Sequence, residues 1–396
     1  MTAPEVAEWV DEVESAYGAA AAAESAAYYA WATDITDDHL ATALASSNVT
    51  SSIVADAVVR IRSEKLIDID GLLPQVARKL ELLVSRQTIP PGAHAADIAE
   101  TVADMESFYA TKRACIDDAC LPLAAADDII RDPAASWERK AAVWSAWRAG
   151  FGALRTPYEE LVESSNAGAR DLGFADTGAM WRSAFDMDST EFAAVAERLW
   201  TEVQPLYTAL HCYVRRELAA APVYADHAHD PAWAGGALPA HLLGNMWAQD
   251  WSHIYSLVEP YPGAGNVELD AGLRATGWDA TAMVREGVAF FERLGLAGPG
   301  PDFYADSLLV QPSNGRDVVC HASAWDLGGG DVRLKACFKV DGEDFFVVHH
   351  ELGHIFYYLG YAGQSALFRE GANNGFHEAI GDTIVLSLTP AYLRKA

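Results

Sequence analysis

Apolar residues recur every three or four positions over most of the first 220 residues, which is the spacing of one face of an α-helix. The clearest segments are rich in Ala, Glu and Leu and cover residues 7–29, 51–62, 74–86 and 191–218. Breaks are predicted at Pro90–Pro91, at Asp132–Pro133, and across residues 222–239, where Pro, Gly, Asp and His are frequent. None of these breaks is long or polar enough to mark a domain linker. The pattern predicts a mainly α-helical chain that forms a single domain over residues 1–396.

Two short β-like runs interrupt this helical pattern at residues 317–325 and 331–340. Three consecutive glycines, Gly328–Gly330, lie between the runs, so we expect a β-hairpin. Cys320 and Cys337 flank the predicted hairpin, which would bring them together. The chain has five cysteines, and their spacing alone fits either two disulfides with one free thiol or five reduced, buried thiols.

The candidate chemistry lies near the C-terminus, in an apolar segment that contains His350-Glu351-Leu352-Gly353-His354. On a helix, His350 and His354 leave the same face one turn apart and can bind one metal ion together. In the His-Glu-x-x-His pattern of zinc proteases, the Glu does not ligate the metal but acts as general base toward water. The alternative is a buried helix that carries two His and a Glu by chance.

A third metal ligand is predicted in the segment that follows. A Gly-rich turn at residues 371–375 precedes an apolar run that continues to Leu388, which indicates a second helix. Glu378 lies on this run, 24 residues after His354, which is enough for the first helix to end and the second to return antiparallel. Two His and one Glu leave the fourth zinc position open for water, as catalytic sites require.

Three neighbouring side chains complete this predicted site. Asp382 lies one turn beyond Glu378 and can accept the remaining ring N–H of a ligating His. His349 and His377 each point about 100° away from the ligand beside them on a helix. We interpret both as supporting or packing residues.

Composition and charge restrict the class of protein. Hydrophobic residues make up 51% of the chain and charged residues 21%, as in globular proteins. The net charge of −28 repels phosphate backbones, which argues against nucleic acid as a partner. No stretch approaches the roughly 20 apolar residues of a membrane-spanning helix.

The compartment is indicated by weaker signals. Residues 1–6 are acidic and lack the basic start and apolar run of a signal peptide, so either the protein is not exported or a leader has been removed. Asn48-Val49-Thr50 matches an N-glycosylation sequon, which favours a secreted glycoprotein.

Longer runs around the candidate site closely resemble the angiotensin-converting enzyme family of zinc peptidyl-dipeptidases. They are residues 349–354, 369–382 and 319–326, and similarity continues upstream at residues 239–249, 205–207 and 213–216. The resemblance covers essentially the whole chain. It implies a large helical zincin-like fold of the gluzincin type, with a small β-hairpin next to the active site. It also implies one Zn²⁺ ion and a peptide substrate with a free C-terminus.

The resemblance assigns roles residue by residue. Three residues match the family's zinc ligands: His350, His354 and Glu378. Glu351 matches its general base and acid. Six residues match positions that bind substrate: His321, Ala324, Gln249, Glu343, Val347 and Glu370. Among these, His321 and Ala324 match a strand edge that pairs with substrate backbone, and Gln249 matches a group that holds the terminal carboxylate. For Glu343, Val347 and Glu370, simple packing or surface charge is an equally good interpretation.

The resemblance also bears on disulfides and anions. The family's disulfides match Cys115 with Cys120 and Cys320 with Cys337, which leaves Cys212 as the free thiol and favours a secreted or extracellular protein. Arg148 matches a ligand of one of two activating chlorides. Phe185 stands where relatives place a Tyr for the other chloride, so chloride dependence is open.

The chain ends at Ala396, whereas the family continues through a helical segment that supplies further transition-state and carboxylate-binding groups. We therefore expect the C-terminal part of the domain to be missing, and each lost oxyanion donor costs about 10²- to 10³-fold in rate. The leading hypothesis is a zinc metallopeptidase that releases C-terminal dipeptides from oligopeptides. The alternatives are a catalytically impaired zinc- or peptide-binding relic of the same fold and a purely structural helical protein without metal.

Overall fold

The computed structural model describes residues 1–86, 97–98, 101–102, 104–105, 108–109, 112–262, 269–373 and 375–394. Helices dominate this part of the chain, and its strands form two antiparallel pairs. The predicted fold class, mainly α with a small hairpin, is confirmed. The described residues divide into two compact units, each of which is presented by itself below. The single domain over residues 1–396 stays a prediction.

The first unit falls within Met1–Thr88, Ser183–Asp186 and Asn266–Ala396. We call Gly342–Tyr361 the motif helix and Phe376–Leu386 the ligand helix. The other α-helices of this unit are Ala3–Thr33, Asp37–Ser63, Pro74–Ser85, Leu269–Thr276, Ala280–Arg293, Asp302–Asp306 and Pro390–Leu393.

The first two helices extend beyond their apolar patterns because capping residues set where they begin. The backbone N–H of Thr2 donates to the Glu5 carboxylate at 2.6 Å, so the first helix begins at Ala3. Thr36 accepts from the backbone N–H of His39 at 3.2 Å, which starts the second helix at Asp37. The second helix therefore begins 14 residues before its predicted start at residue 51.

The motif helix packs its apolar face against the helix Ala280–Arg293. Phe345, Val348 and Leu352 are fully buried there. Gly287 permits the close approach, since a Cβ at that position would lie 2.5 Å from Leu352 Cδ1. The motif helix begins where Asp341 accepts from the backbone N–H of Asp344 at 2.9 Å.

The motif helix and the ligand helix meet backbone to backbone. A Cβ on Gly353 would lie 2.9 Å from Gly381 Cα, and a Cβ on Gly381 would lie 2.7 Å from His350 Cε1. Residue pairs 350–382 and 354–378 face each other, so the two helices are antiparallel. A side chain at position 353 would push the two helices apart, and one at position 381 would displace the His350 ring.

The site hairpin pairs Ser323–Asp326 with Val332–Lys335, and its strands are shorter than the predicted runs. Gly328, Gly329 and Gly330 all have positive φ, which allows the chain to turn between the strands. Beyond the paired residues, a disulfide joins Cys320 to Cys337. The backbone N–H of Leu308 donates to Leu334 at 2.9 Å, so a third segment borders the hairpin.

The second unit falls within Ile89–Arg182 and Met187–Gly265. Between residues 112 and 262, which the structure describes throughout, its α-helices are Leu123–Arg131, Trp137–Arg148, Arg155–Asp171, Thr177–Arg182, Ser189–Ala220 and Tyr255–Val258. The strands Arg113–Ile116 and Ala119–Pro122 pair with Cys115 opposite Cys120, and a disulfide joins these two residues.

The predicted breaks coincide with connections between these helices. Asp132–Pro133 separates two of them, and residues 222–239 contain the short 3₁₀ turns Pro222–His227 and Pro231–Gly236. Pro90–Pro91 lies outside the described residues. None of the helices in the described part of the chain is long and apolar enough to cross a membrane.

A lysine is buried in the core of the second unit. Lys140 is 0% exposed, and its Nζ donates to the Ile130 carbonyl at 2.7 Å. Burial lowers the pKa of Lys140 to about 8, although Asp132 acts in the opposite direction. Burial, and then the Lys140 charge, lower the pKa of His241 to about 4. The folded state therefore holds the Lys140 proton less tightly than the unfolded chain does.

Gly353→Ala is expected to destabilise the protein by about 1–3 kcal/mol, because the new methyl group overpacks the contact with Gly381. The matched control is Gly360→Ala on the same helix, where a Cβ meets nothing within 4 Å. We expect that control to gain about 0.5–1 kcal/mol from helix propensity. Equilibrium unfolding in guanidinium, followed by circular dichroism, measures both variants. Equal effects of the two variants would contradict the close contact.

Lys140→Met is expected to lower the slope with which stability rises between about pH 8 and pH 9.5, leaving the share of Lys335, whose pKa burial also lowers to about 8. In that range the folded protein releases the Lys140 proton while the unfolded chain retains it, so stability increases with pH by at most about 1.4 kcal/mol per pH unit. Below this range both states hold the proton and the slope vanishes. Urea unfolding at several pH values tests this. The exposed control Lys339→Met should keep the wild-type slope, and the same slope in Lys140→Met would refute the assignment.

Candidate active site

Two histidines and a glutamate converge between the motif helix and the ligand helix. His350 and His354 come from the motif helix and Glu378 from the ligand helix, with one potential ligand atom of each lying within 4.8 Å of the others. His350 Nε2 lies 3.3 Å from Glu378 Oε2, and His354 Nε2 lies 3.7 Å from Glu378 Oε1. The two Nε2 atoms are 3.2 Å apart. Two imidazole nitrogens and a carboxylate are a donor set that zinc prefers.

The surroundings of His354 favour its neutral form. His354 is 8% exposed. Burial, and then the neighbouring His350, lower the pKa of His354 to about 4. A neutral imidazole offers a ring lone pair, which is the form that binds metals.

Glu351 carries a buried carboxylate beside the backbone of Ala324. Its exposed fraction is 7%, and the Ala324 backbone N–H slightly lowers its pKa. One of its oxygens, Oε2, is buried and has no hydrogen-bond partner within the described part of the chain. Burial raises the pKa of Glu351 to about 7, and the Lys335 charge acts in the opposite direction. An orphaned oxygen beside a His–His–Glu cluster fits a metal site where water reacts.

An open cavity of about 270 Å³ joins these groups to the site hairpin. One wall is the strand Ser323–Asp326 with the residues before it, and the other is formed by the two helices. Glu378 keeps 69% of its side chain exposed. The lining residues are His321, Ala322, Ser323, Ala324, His350, Glu351, His354, Tyr358, His377 and Glu378.

A buried lysine fixes the backbone that leads into this wall. Lys335 is 2% exposed, and its Nζ donates to the carbonyls of Val319, at 2.9 Å, and His321. Burial lowers the pKa of Lys335 to about 8, while the Glu351 charge raises it. The sequence analysis did not identify Lys335. The signal that could have pointed to it is a charged residue within the second β-like run, two residues before Cys337.

Comparisons with known proteins show the family of this chain. A family model described as angiotensin-converting enzyme matches residues 1–396. The chain belongs to the angiotensin-converting enzyme family. The predicted resemblance is thereby confirmed.

Several relatives are similar over most of this chain. Angiotensin-converting enzyme of Bos taurus is 42% identical over 300 residues, which is 74% of this chain and 22% of that protein. The enzyme of Mus musculus is 39% identical over 325 residues, 81% of this chain and 24% of that protein. The enzyme of Sus scrofa is 46% identical over 255 residues, 64% of this chain and 19% of that protein. The chain thus spans about a fifth to a quarter of the length of these relatives.

Two of the substrate positions implied by the angiotensin-converting enzyme family lie at the cavity. His321 is exposed, and its Nδ1 lies 2.8 Å from the Ala322 carbonyl. Ala324 directs its N–H toward Glu351, and its carbonyl accepts from the Tyr358 hydroxyl at 3.4 Å. The strand edge at Ala324 therefore faces the motif helix.

Three further family positions of the first unit do not line this cavity. Glu343 and Val347 lie on the motif helix before His350. Glu370 lines a second cavity of about 250 Å³, which shares Ala324 and Tyr358 with the first. The Glu370 carboxylate also pairs with Arg86 at 2.8 Å.

The residues implied to bind the terminal carboxylate and a chloride ion, Gln249 and Arg148, lie in the second unit. Gln249 has an exposed side chain, and its backbone N–H donates to Asn245 Oδ1 at 3.1 Å. The Arg148 guanidinium carbon lies 3.2 Å from the centroid of the Trp144 ring. Arg148 Nη2 donates to the Met246 carbonyl, and Nη1 is buried without a partner among the described residues. Burial lowers the pKa of Arg148.

Both disulfides that the family implies are present, and Cys212 is free and exposed.

His349 and His377 were expected to support or pack against the site. His349 is fully buried. Its Nδ1 lies 2.8 Å from the Phe345 carbonyl oxygen, and its Nε2 lies 3.1 Å from the Tyr392 hydroxyl. His377 contacts a proposed ligand, with its Nδ1 close to His354 Nδ1. Asp382 Oδ1 lies close to His350 Nδ1, the kind of contact expected for it.

Proposed function

We propose that this chain is a zinc metallopeptidase that releases dipeptides from the free C-terminus of oligopeptides. The observation that carries the proposal is the His350–His354–Glu378 cluster, which shares a cavity with Glu351, whose buried Oε2 has no hydrogen-bond partner among the described residues. Membership of the angiotensin-converting enzyme family supports the same reaction class. The donor set and the orphaned oxygen of Glu351 both fit one zinc ion.

His350, His354 and Glu378 would hold the ion. When bound there, a zinc ion would supply a Lewis acid to polarise the scissile carbonyl and acidify the attacking water. Glu351 takes a proton from the attacking water as the new C–O bond forms, and delivers it to the leaving amine as the C–N bond breaks. Glu351 Oε2 has no hydrogen-bond partner among the described residues, so it is free to take this proton.

Peptide binding follows from the site hairpin and from the family positions. A substrate in extended conformation would lie along the strand Ser323–Asp326, with its backbone near His321 and Ala324. Gln249 would hold the terminal carboxylate, and Glu343, Val347 and Glu370 would contact substrate side chains.

Arg148 would contact a chloride ion, because its buried Nη1 offers an unused N–H. A secreted or extracellular location fits the two disulfides. Asn48 is exposed on the helix Asp37–Ser63, so a glycan could be attached there.

Glu351→Gln is expected to lower the turnover of an N-blocked tripeptide with a free C-terminus by at least about 10²-fold, because the amide cannot accept the proton from water. Zinc content should stay at one ion per chain, since Glu351 is not a proposed ligand. Release of the C-terminal dipeptide is measured by chromatography, with zinc determined by atomic absorption. A chelator should abolish the wild-type activity.

The exposed Glu8→Gln variant is the matched control and should keep full activity. Folded, zinc-loaded wild-type protein without turnover would overturn the peptidase proposal and favour the zinc- or peptide-binding relic. Folded protein that retains no zinc would remove the metal site itself.

A further inference from the structure

Both candidate histidine ligands have their second ring nitrogen engaged, and both partners come from the ligand helix. His350 Nδ1 lies 3.2 Å from Asp382 Oδ1. His354 Nδ1 lies 3.3 Å from His377 Nδ1. One short helix therefore supplies the ligand Glu378 and a partner for each histidine. Carboxylates, backbone carbonyls and water are the usual partners of a ligating His. The unusual feature here is that the partner of His354 is another imidazole, that of His377.

His377 is itself held among tyrosines of the motif helix. Its ring centroid lies 4.7 Å from that of Tyr357, 4.8 Å from that of Tyr358 and 5.9 Å from that of Tyr361. The hydroxyl at its Nε2 is that of Tyr361, at 2.9 Å. The Tyr357 hydroxyl instead accepts from the backbone N–H of Ala372 at 3.0 Å. The Tyr361 hydroxyl therefore fixes the far side of the His377 ring.

The requirement that His354 binds metal through Nε2 determines which ring nitrogens of His354 and His377 carry protons. His354 Nε2 faces the cluster, 3.2 Å from His350 Nε2 and 3.7 Å from Glu378 Oε1, so its lone pair must be free to bind metal. The neutral ring of His354 then carries its proton on Nδ1, which donates to His377 Nδ1. His377 in turn carries its proton on Nε2, which donates to the Tyr361 hydroxyl oxygen. Each ring has one N–H, and each N–H has one acceptor.

We infer that His377, anchored by Tyr361, is a positioning residue that sets the tautomer and the ring orientation of His354 as a metal ligand. The inference rests on the proposed zinc site and adds to it a residue that the His-Glu-x-x-His motif does not contain. A residue that only packs against His354 would act through its shape. His377 acts through the acceptor atom that it presents to His354 Nδ1.

Two variants of similar size separate these roles. His377→Asn places Oδ1 close to the position of Nδ1 and keeps an acceptor, whereas His377→Leu has a similar shape and no acceptor. We expect His377→Leu to weaken zinc binding about 10- to 100-fold, the usual effect of losing the partner of a ligating His. His377→Asn should stay within about threefold of wild type, because the acceptor is restored. Competition with a chromogenic chelator measures the zinc dissociation constants without relying on turnover.

Two tyrosine variants, Tyr361→Phe and Tyr357→Phe, test the inference independently of His377 substitutions. Tyr361→Phe removes the hydroxyl at His377 Nε2 and should weaken zinc binding by about threefold to tenfold. Tyr357→Phe keeps its ring beside His377 and loses a hydroxyl that bonds elsewhere, so zinc binding should not change. Visible absorption of the cobalt-substituted proteins should show an altered ligand field in His377→Leu and Tyr361→Phe. Denaturant unfolding of the metal-free variants checks their fold.

The outcomes distinguish a failure of this inference from a failure of the proposed zinc metallopeptidase function. Wild-type protein that binds no zinc defeats the proposed function and the inference together. Wild-type protein that binds zinc, with Leu and Asn variants equally weakened or equally unaffected, overturns the inference and leaves the zinc site standing. If His377→Leu does not fold, the tyrosine pair decides: equal zinc affinity in Tyr361→Phe and Tyr357→Phe overturns the inference.

Discussion

The close contact of Gly353 with Gly381 is the constraint on which the candidate site depends. Helices packed through larger side chains lie about 8–10 Å apart, which would hold a short carboxylate side chain away from the facing helix. With glycine on both sides, backbones meet and Glu378 reaches two histidines on the motif helix. The same approach brings His377 and Asp382 to the outer ring nitrogens. Two residues without side chains thus determine where five polar side chains meet.

The site hairpin contributes a second constraint, which is electrostatic. Lys335 is buried and donates to the carbonyls of Val319 and His321, so the backbone before the strand is fixed. The strand then lies against Glu351, which keeps only 7% of its surface exposed, and the Ala324 N–H slightly lowers the pKa of its carboxyl group. Burial raises the pKa of this carboxyl group, and its second oxygen stays without a partner in the described structure. The position of the hairpin and the raised pKa of Glu351 are therefore consequences of the same packing.

Two independent arguments lead to the same reaction class. The geometry comes from this chain alone: a His–His–Glu cluster, a buried carboxylate and a strand edge around one cavity. The family match comes from similarity over residues 1–396, with relatives between 39% and 46% identical. Because the chain spans about a fifth to a quarter of those relatives, their activity is proposed for this chain and not transferred to it.

The sequence by itself determined what depends on local spacing. Residues four apart on a helix share a face whatever the helix packs against, so His350 and His354 could be paired in advance. A turn followed by an apolar run was enough to place Glu378 on a second helix. Three glycines between two β-like runs were enough to predict a hairpin, although its paired strands proved shorter.

Only the tertiary structure decided what depends on groups far apart in the chain. Arg86 pairs with Glu370 across 284 positions, and no local pattern predicts such a contact. The helix start at Asp37 depends on a Thr36 cap, which the apolar spacing does not show. His377 was interpreted by its angle from Glu378 on one helix, yet its partner, His354, lies on another. Helical periodicity describes the faces of a single helix, whereas contacts between helices depend on where their backbones can approach.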